Sequence, residues 1–296
     1  MRGLRIALAS LAVLTASAAI GQAPSPEAKA YADRYDALPW ISAPTAAEIT
    51  ERATLKLDPK TRALGVNGTN ELLKMTGNLP EDASYTLAAK GGNWFAIYSF
   101  EDVGYVKDDE KIDAGALLKT LQENQEQANE ERQKQGFSAL TVVAWAVPPH
   151  YDPKTHNLEY GVKLASADGE NINYHMRMLG RRGVMDATLI TTPQYLQQDL
   201  LEFRAANGGF AFKAEEGYGA YKEGDKVSEY GLAALVTGGA AAAALKGGLL
   251  KGLLAGLAAF WKLIAVGVVA FFAVFRRFFA RLFGKGDELG PPPASD

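Results

Sequence analysis

From Phe137 to Thr192 apolar and polar side chains alternate in four successive runs, which predicts four antiparallel strands in a row. In one run Leu158, Tyr160, Val162 and Leu164 alternate with Glu159, Gly161 and Lys163. In the next, Ile172, Tyr174, Met176 and Met178 alternate with Asn173, His175 and Arg177. The intervening Ser166–Glu170 carries Asp168-Gly169, a turn signal. Centring the hairpin on Asp168 pairs Leu164 with Ile172, Val162 with Tyr174 and Tyr160 with Met176, so that every apolar residue shares one face. A turn between Arg181 and Arg182 sets Leu189 beside Tyr174 and Ala187 beside Met176. A turn within Asp152–Thr155 sets Trp145 beside Val162 and Val147 beside Tyr160. The predicted result is an apolar row Trp145–Val162–Tyr174–Leu189. The opposite face then carries Glu159, Arg177 and Asp186 side by side, with His175 and Asn173 further along. That face reads either as a solvated surface with weak ion pairs or as a polar binding face.

Upstream, Ser25–Leu38 suits a short helix with Pro26 in its first turn. Thr54–Leu57 and Ala63–Val66 read as strands, and Thr69 as the cap of a helix reaching Met75. Tyr85–Lys90 and Asn93–Phe100 flank Gly91-Gly92 and predict a hairpin, with Trp94, Ala96, Tyr98 and Phe100 on its core side. Gly104-Tyr105-Val106 continues as a short strand. Asp113 caps a helix to about Gln135 whose apolar stripe is Ala114, Leu117, Leu118 and Leu121. Its polar second half is expected to project into solvent. Pro193 opens a helix through about Ala206, with Tyr195, Leu196, Asp199, Leu200 and Phe203 as its packing and capping set, and Asn207-Gly208-Gly209 ends it. Phe210 and Phe212 lead into Gly217–Lys226, read as an approach to a membrane.

The two ends of the chain set the compartment. Met1–Gly21 has Arg2 and Arg5, an apolar run and then small residues, the layout of a secretory signal peptide. Residues 22–230 form the expected folded domain, 231–283 an anchor region and 284–296 a tail. Within the anchor, 252–275 holds about 24 residues interrupted by one charge, Lys262, which is enough to cross a hydrocarbon core of roughly 30 Å. Arg276, Arg277, Arg281 and Lys285 follow, and the positive-inside rule puts that end in the cytoplasm. A helical hairpin that pairs 232–250 with 252–275 is the alternative topology. Gly248, Gly252 and Gly256 form small-xxx-small steps that allow close helix approach, so a homo-oligomer or a membrane-complex partner is expected at this helix. Lys262 near mid-span costs on the order of 3 kcal/mol, and a helix or lipid headgroup contact would offset it.

Composition narrows the chemistry. Hydrophobic residues make up 48% and charged residues 22% of the 296, which describes a folded chain. A net charge of −3 gives no basic field for nucleic acid. With no cysteine, disulfides, thiol nucleophiles and cysteine-based zinc sites are excluded. No nucleophile elbow, phosphate-binding loop, dinucleotide fingerprint or His-Glu-x-x-His motif is present, so no cofactor, metal or catalytic residue is called for. His150 and His156 bracket a metal-capable run, but the predicted register puts them on opposite faces of a hairpin.

Separated motifs in order carry a resemblance: Gly104-Tyr105-Val106; Trp145 with Pro149-His150-Tyr151-Asp152; Asn173-Tyr174 with Leu179-Gly180-Arg181-Arg182-Gly183-Val184; and Gly224-Asp225-Lys226 with Tyr230-Gly231-Leu232. The chain resembles the predicted membrane-anchored bacterial proteins grouped as family 2167 of the domains of unknown function. Tyr160 stands where a Trp is expected. The resemblance implies a Gram-negative envelope location and supplies no catalytic residues. The combined expectation is an α+β, largely antiparallel periplasmic domain with flanking helices, held to the inner membrane by one C-terminal span. Its expected role is binding or scaffolding other envelope components. The alternative is a periplasmic enzyme or small-ligand binder that uses the polar meander face.

Overall fold

The computed structural model describes residues 26–238, apart from 77, 79, 92, 93, 135 and 168. Helix α1 (Pro26–Asp36) is followed by strands β1 (Ile41–Ser42), β2 (Ala46–Ile49), β3 (Ala53–Lys56) and β4 (Thr61–Leu64), then helix α2 (Val66–Met75). Strands β5 (Tyr85–Ala89) and β6 (Phe95–Glu101) precede helix α3 (Ala114–Lys134). The meander is β7 (Thr141–Asp152), β8 (Asn157–Ser166), β9 (Gly169–Leu179) and β10 (Val184–Thr191). Helix α4 (Leu196–Asn207), strand β11 (Phe210–Phe212) and helix α5 (Leu232–Thr237) complete it. The fold is α+β: an eight-stranded antiparallel sheet in the order β1-β4-β5-β6-β10-β9-β8-β7, a three-stranded sheet β11-β3-β2, and flanking helices.

The large sheet is covered on both faces, and this decides its chemistry. On one face Tyr174, Met176, Met185, Leu189, Trp94 and Tyr98 pack with Leu55 of the small sheet and Phe203 of α4. The other face has two apolar clusters. Leu72, Leu73 and Leu38 cover Phe95, Ile97 and Ile190 at one end. Leu117, Leu121, Leu232 and Leu235 cover Leu158, Tyr160 and Val162 at the other. Between these clusters lie the polar side chains of β9 and β10.

The β9–β10 register is as predicted, with Leu189 opposite Tyr174, Ala187 opposite Met176 and Asp186 opposite Arg177. Its tight turn closes with Gly180 N–H donating to Gly183 O at 2.8 Å. The β8–β9 register differs from the predicted one by a single residue. Leu164 faces Asn171, Val162 faces Asn173 and Tyr160 faces His175. Val162 and Tyr174 therefore point to opposite faces, and the four-residue apolar row does not form. Glu159 stands opposite Met176 rather than beside Arg177. Matching apolar with apolar assumes one wet face; with both faces covered, the polar half of β9 meets the apolar half of β8 inside the protein. Across β7–β8, Trp145 faces Val162 as expected, but bulges bring Val147 opposite Gly161.

Other departures have equally local causes. Helix α2 starts at Val66 after Gly65, and Thr69 lies inside it, its hydroxyl 2.9 Å from that of Thr86. Asp113 does cap α3, accepting from Gly115 and Ala116 N–H at 3.0 and 3.1 Å. The polar half of α3 docks through its amides instead of projecting outward. Gln122 donates to Val142 O at 3.2 Å, and Asn129 both donates to Leu140 O and accepts from Leu140 N–H, at 2.8 and 2.9 Å. Tyr105 makes a single parallel bridge with Val227 instead of a strand. Helix α4 begins at Leu196 rather than Pro193, and Tyr195 is exposed and makes no side-chain cap. The 217–226 stretch folds back on the domain: Arg181 grips Asp225 with bonds of 2.6 and 2.8 Å. Helix α5 is buried in the apolar cluster with α3. Among the described residues no helix is long and apolar enough to cross a membrane; Gly248, Gly252, Gly256, Lys262 and the predicted signal peptide lie outside them.

Candidate functional site

Four of the five residues predicted as a polar face are buried inside the protein, and three of them form a network. Asn173, His175 and Arg177 are buried at 0, 3 and 2% exposure, and Asp186 at 7%. The alternation of β9 aims Arg177 at Asp186 across the strand pair, where Nε lies 3.7 Å from Oδ1. The guanidinium also donates to Glu101 Oε1 of β6 at 2.9 Å and to the Tyr160 hydroxyl at 3.2 Å. His175 Nδ1 is 3.2 Å from Asp186 Oδ2, and its ring stacks on Tyr160 at 4.7 Å. The Thr188 hydroxyl donates to Asp186 at 2.9 Å and lies 2.9 Å from His175 Nδ1. Three of the five predicted face residues, His175, Arg177 and Asp186, are thus brought together, and Asn173 is buried on the same face of β9.

The electrostatics follow from burial against pairing. Burial alone would raise the Asp186 carboxyl, but Arg177 and His175 outweigh it and hold the pKa at about 2. Burial likewise opposes the Arg177 charge, and Asp186 and Glu101 overcome it and keep its pKa above the usual arginine value. Burial raises Glu81, with Asp186 and Glu101 adding to the effect. A carboxylate held ionised this firmly is a poor proton donor. The network is suited to fixing the sheet, not to proton transfer.

Glu159, the fifth face residue, sits on the other side of the sheet. It accepts from the Tyr174 hydroxyl and, at 2.6 Å, from Arg204 Nη2 of α4. Close to this pair a cavity of about 440 Å³ opens between the β7–β8 turn, β9, the end of α4 and β11. Met176, Met178, Leu179, Phe210 and Phe212 give it apolar walls; Arg204, Asn207, His156, Asn157 and Tyr218 supply polar atoms. Asn207, the last residue of α4, accepts from the buried Tyr98 hydroxyl at 2.8 Å through Oδ1.

His156 is held by a chain of bonds. The residue takes a left-handed conformation, φ 55°, and its carbonyl accepts from Leu179 N–H at 3.0 Å. Its ring stacks against Tyr218 at 4.3 Å. Tyr151 donates to Asp108 at 2.7 Å, and its oxygen lies 3.1 Å from His156 Nδ1. The Tyr151 bond lowers the Asp108 pKa, and burial with that same bond raises Tyr151, so carboxylate and phenol keep their charge states. His150, by contrast, is exposed, and no group of three or more metal-capable His, Asp or Glu residues occurs among the described residues.

Sequence reasoning assigned Met176 and Met178 to the core and Asn207 to a helix stop, and left Arg204 without a role. The available signal was local: Arg204 and Asn207 are three apart on one helix, with two phenylalanines just beyond.

Comparison with known proteins places the chain. Its domain is an α+β fold built on a large antiparallel sheet. The family model described as a protein of unknown function (DUF2167) matches residues 42–272, most of the chain, and the chain belongs to that family. No curated protein matches it. Among solved structures, the solution structure of cyanobacterial PsbP (CyanoP) from Synechocystis sp. PCC 6803 is similar at a TM-score of 0.34 and 8% identity, over 58% of this chain and 91% of that one.

Proposed function

We propose that this protein is an inner-membrane-anchored envelope component whose periplasmic domain is a binding module, taking a small molecule in the cavity framed by β9, α4 and β11. The observation that carries this reading is the cavity itself. It is an open cleft of about 440 Å³, a volume in the range of small-molecule sites, with apolar and polar side chains in nearly equal share along its lining. His175, Arg177 and Asp186, first expected to bind, are occupied with one another, which leaves them a structural part. The location rests on the sequence of the two ends: the signal-peptide layout of 1–21, and the apolar 252–275 with its following arginines. The same helix carries the reading of self-association, through Gly248, Gly252 and Gly256, with Lys262 beside a partner or a headgroup.

Two experiments test this. A reporter active only outside the cytoplasm should be active when fused after Lys226 and inactive after Asp296; activity at Asp296 would support the hairpin topology instead. Native mass spectrometry of the full chain, released from its own membranes in nanodiscs, should find a small molecule bound. That mass should disappear in a Met176→Trp variant that keeps the wild-type circular dichroism. A chain that is empty in every preparation would refute the binding reading.

A further inference from the structure

We infer that the cavity recognises a small apolar carboxylate, an inference that rests on the binding reading above. Arg204 and Asn207 lie three residues apart on α4, on one face of the helix, and both line the cavity. Asn207 is nine-tenths buried, and the bond from the Tyr98 hydroxyl to its Oδ1 fixes which way the amide points. The Nδ2 donor is left facing thioether sulfurs, Met176 at 3.1 Å and Met178 at 3.6 Å. Sulfur is a weak acceptor, so a buried donor satisfied only by sulfur gains when an oxygen anion replaces it.

Arg204 adds the charge. It spends one nitrogen, Nη2, on Glu159 at 2.6 Å and Tyr174 at 3.0 Å. Its Nε and Nη1 have no acceptor among the described residues, and the side chain is about half exposed at 47%. Arg204 and His156 line the cavity, and Glu159, just outside the lining, already pairs with one nitrogen of Arg204. The donors left over, Arg204 Nε and Nη1 and Asn207 Nδ2, call for a head group that accepts from two directions, and a planar carboxylate meets that demand. For the rest of the ligand the walls offer Met176 and Met178, whose flexible sulfur-bearing chains adapt to varied shapes, and Phe210 and Phe212, whose rings meet edge to face at 5.1 Å. The ligand class is thus an aryl or short acyl acid.

The test uses three probes with one tail: phenylpropionate, phenylpropanol and phenylpropylamine. Each is titrated calorimetrically into the full chain in phosphatidylcholine nanodiscs, with empty nanodiscs as blank. The carboxylate should bind and the alcohol and amine should not. Arg204→Gln should weaken the carboxylate about tenfold or more, the scale of one charged hydrogen bond. Asn207→Asp keeps an oxygen for Tyr98 and removes the donor, and should weaken it at least as much. Carboxylate binding that both variants leave unchanged overturns the inference. Alcohol or amine binding as tight as the carboxylate's, and lost in Met176→Trp, overturns the ligand class and leaves the cavity reading standing. If none of the three binds the folded wild type, the inference fails; the cavity reading fails with it only if the native mass spectrum is also empty.

Discussion

Replacing Arg177 with methionine probes the centre of the sheet. The side chain is 2% exposed, and it neutralises Glu101 at 2.9 Å and Asp186 at 3.7 Å. Methionine fills much of the volume but leaves two carboxylates in a buried site. Removing one partner of such a network costs about 3–5 kcal/mol, mostly the penalty of the charge left behind. The pH dependence carries the sharper signature. In the wild type the Asp186 pKa is lowered to about 2 from an ordinary 3.8, a gap that corresponds to about 2 kcal/mol. This contribution is complete above the unfolded value and is lost as pH falls through the folded one, so acid weakens the wild type between about 4 and 2. In Arg177→Met the burial of Asp186 loses its main counterweight, so its carboxyl moves up from about 2 and acid relieves the variant by protonating it. The stability difference should be largest near pH 7 and shrink toward pH 4. Urea unfolding of the detergent-solubilised full chain, followed by tryptophan fluorescence at several pH values, measures it. Combining Arg177→Met with Glu101→Gln and Asp186→Asn should recover most of the loss. A penalty below about 1 kcal/mol, or one that does not change with pH, would refute the account of Arg177 as the charge holding two buried carboxylates together.

Three further outcomes are expected. Tyr174→Ala removes a fully buried ring and the hydroxyl that donates to Glu159, and should cost about 3–5 kcal/mol in the same unfolding assay. Asn129→Leu deprives Leu140 of partners for both its N–H and its C=O, and should cost about 2 kcal/mol and speed amide exchange at Leu140. In the anchor, Gly252→Ile with Gly256→Ile should weaken self-association in a membrane two-hybrid assay, while Lys262→Leu leaves insertion intact; wild-type segments that do not associate would reduce this helix to a tether.

The elements of the domain were legible wherever the chain signals them locally. The hairpin of β5 and β6 forms as expected, and the Arg181-Arg182 turn gave the correct β9–β10 pairings because a short turn fixes register by itself. The β8–β9 register was not legible from apolar matching. Ser166 pairs with Gly169, which is φ 127°, so the turn is centred half a step before Asp168. Alternation reports two distinct faces but does not say that one of them is wet. His175 and Arg177 looked solvated because polar residues usually are; their partners Glu101, Tyr160 and Thr188 lie on three other strands. The cavity was hidden for a similar reason. Met176 and Met178 read as core whether or not a space opens beside them, and Asn207 reads as a helix terminator whether or not its amide is buried.

The double covering of β9 also predicts where the chain tolerates a change in length. β7 is an outer strand already broken by bulges, so one more residue there can loop out while the rest of the pairing stays in place. The same insertion in β9 would exchange its two halves, driving Arg177 and His175 among the methionines and sending Tyr174 toward Asp186. Length variation among related sequences should therefore gather in β7 and the surface turns, and leave Gly169–Leu179 at constant length.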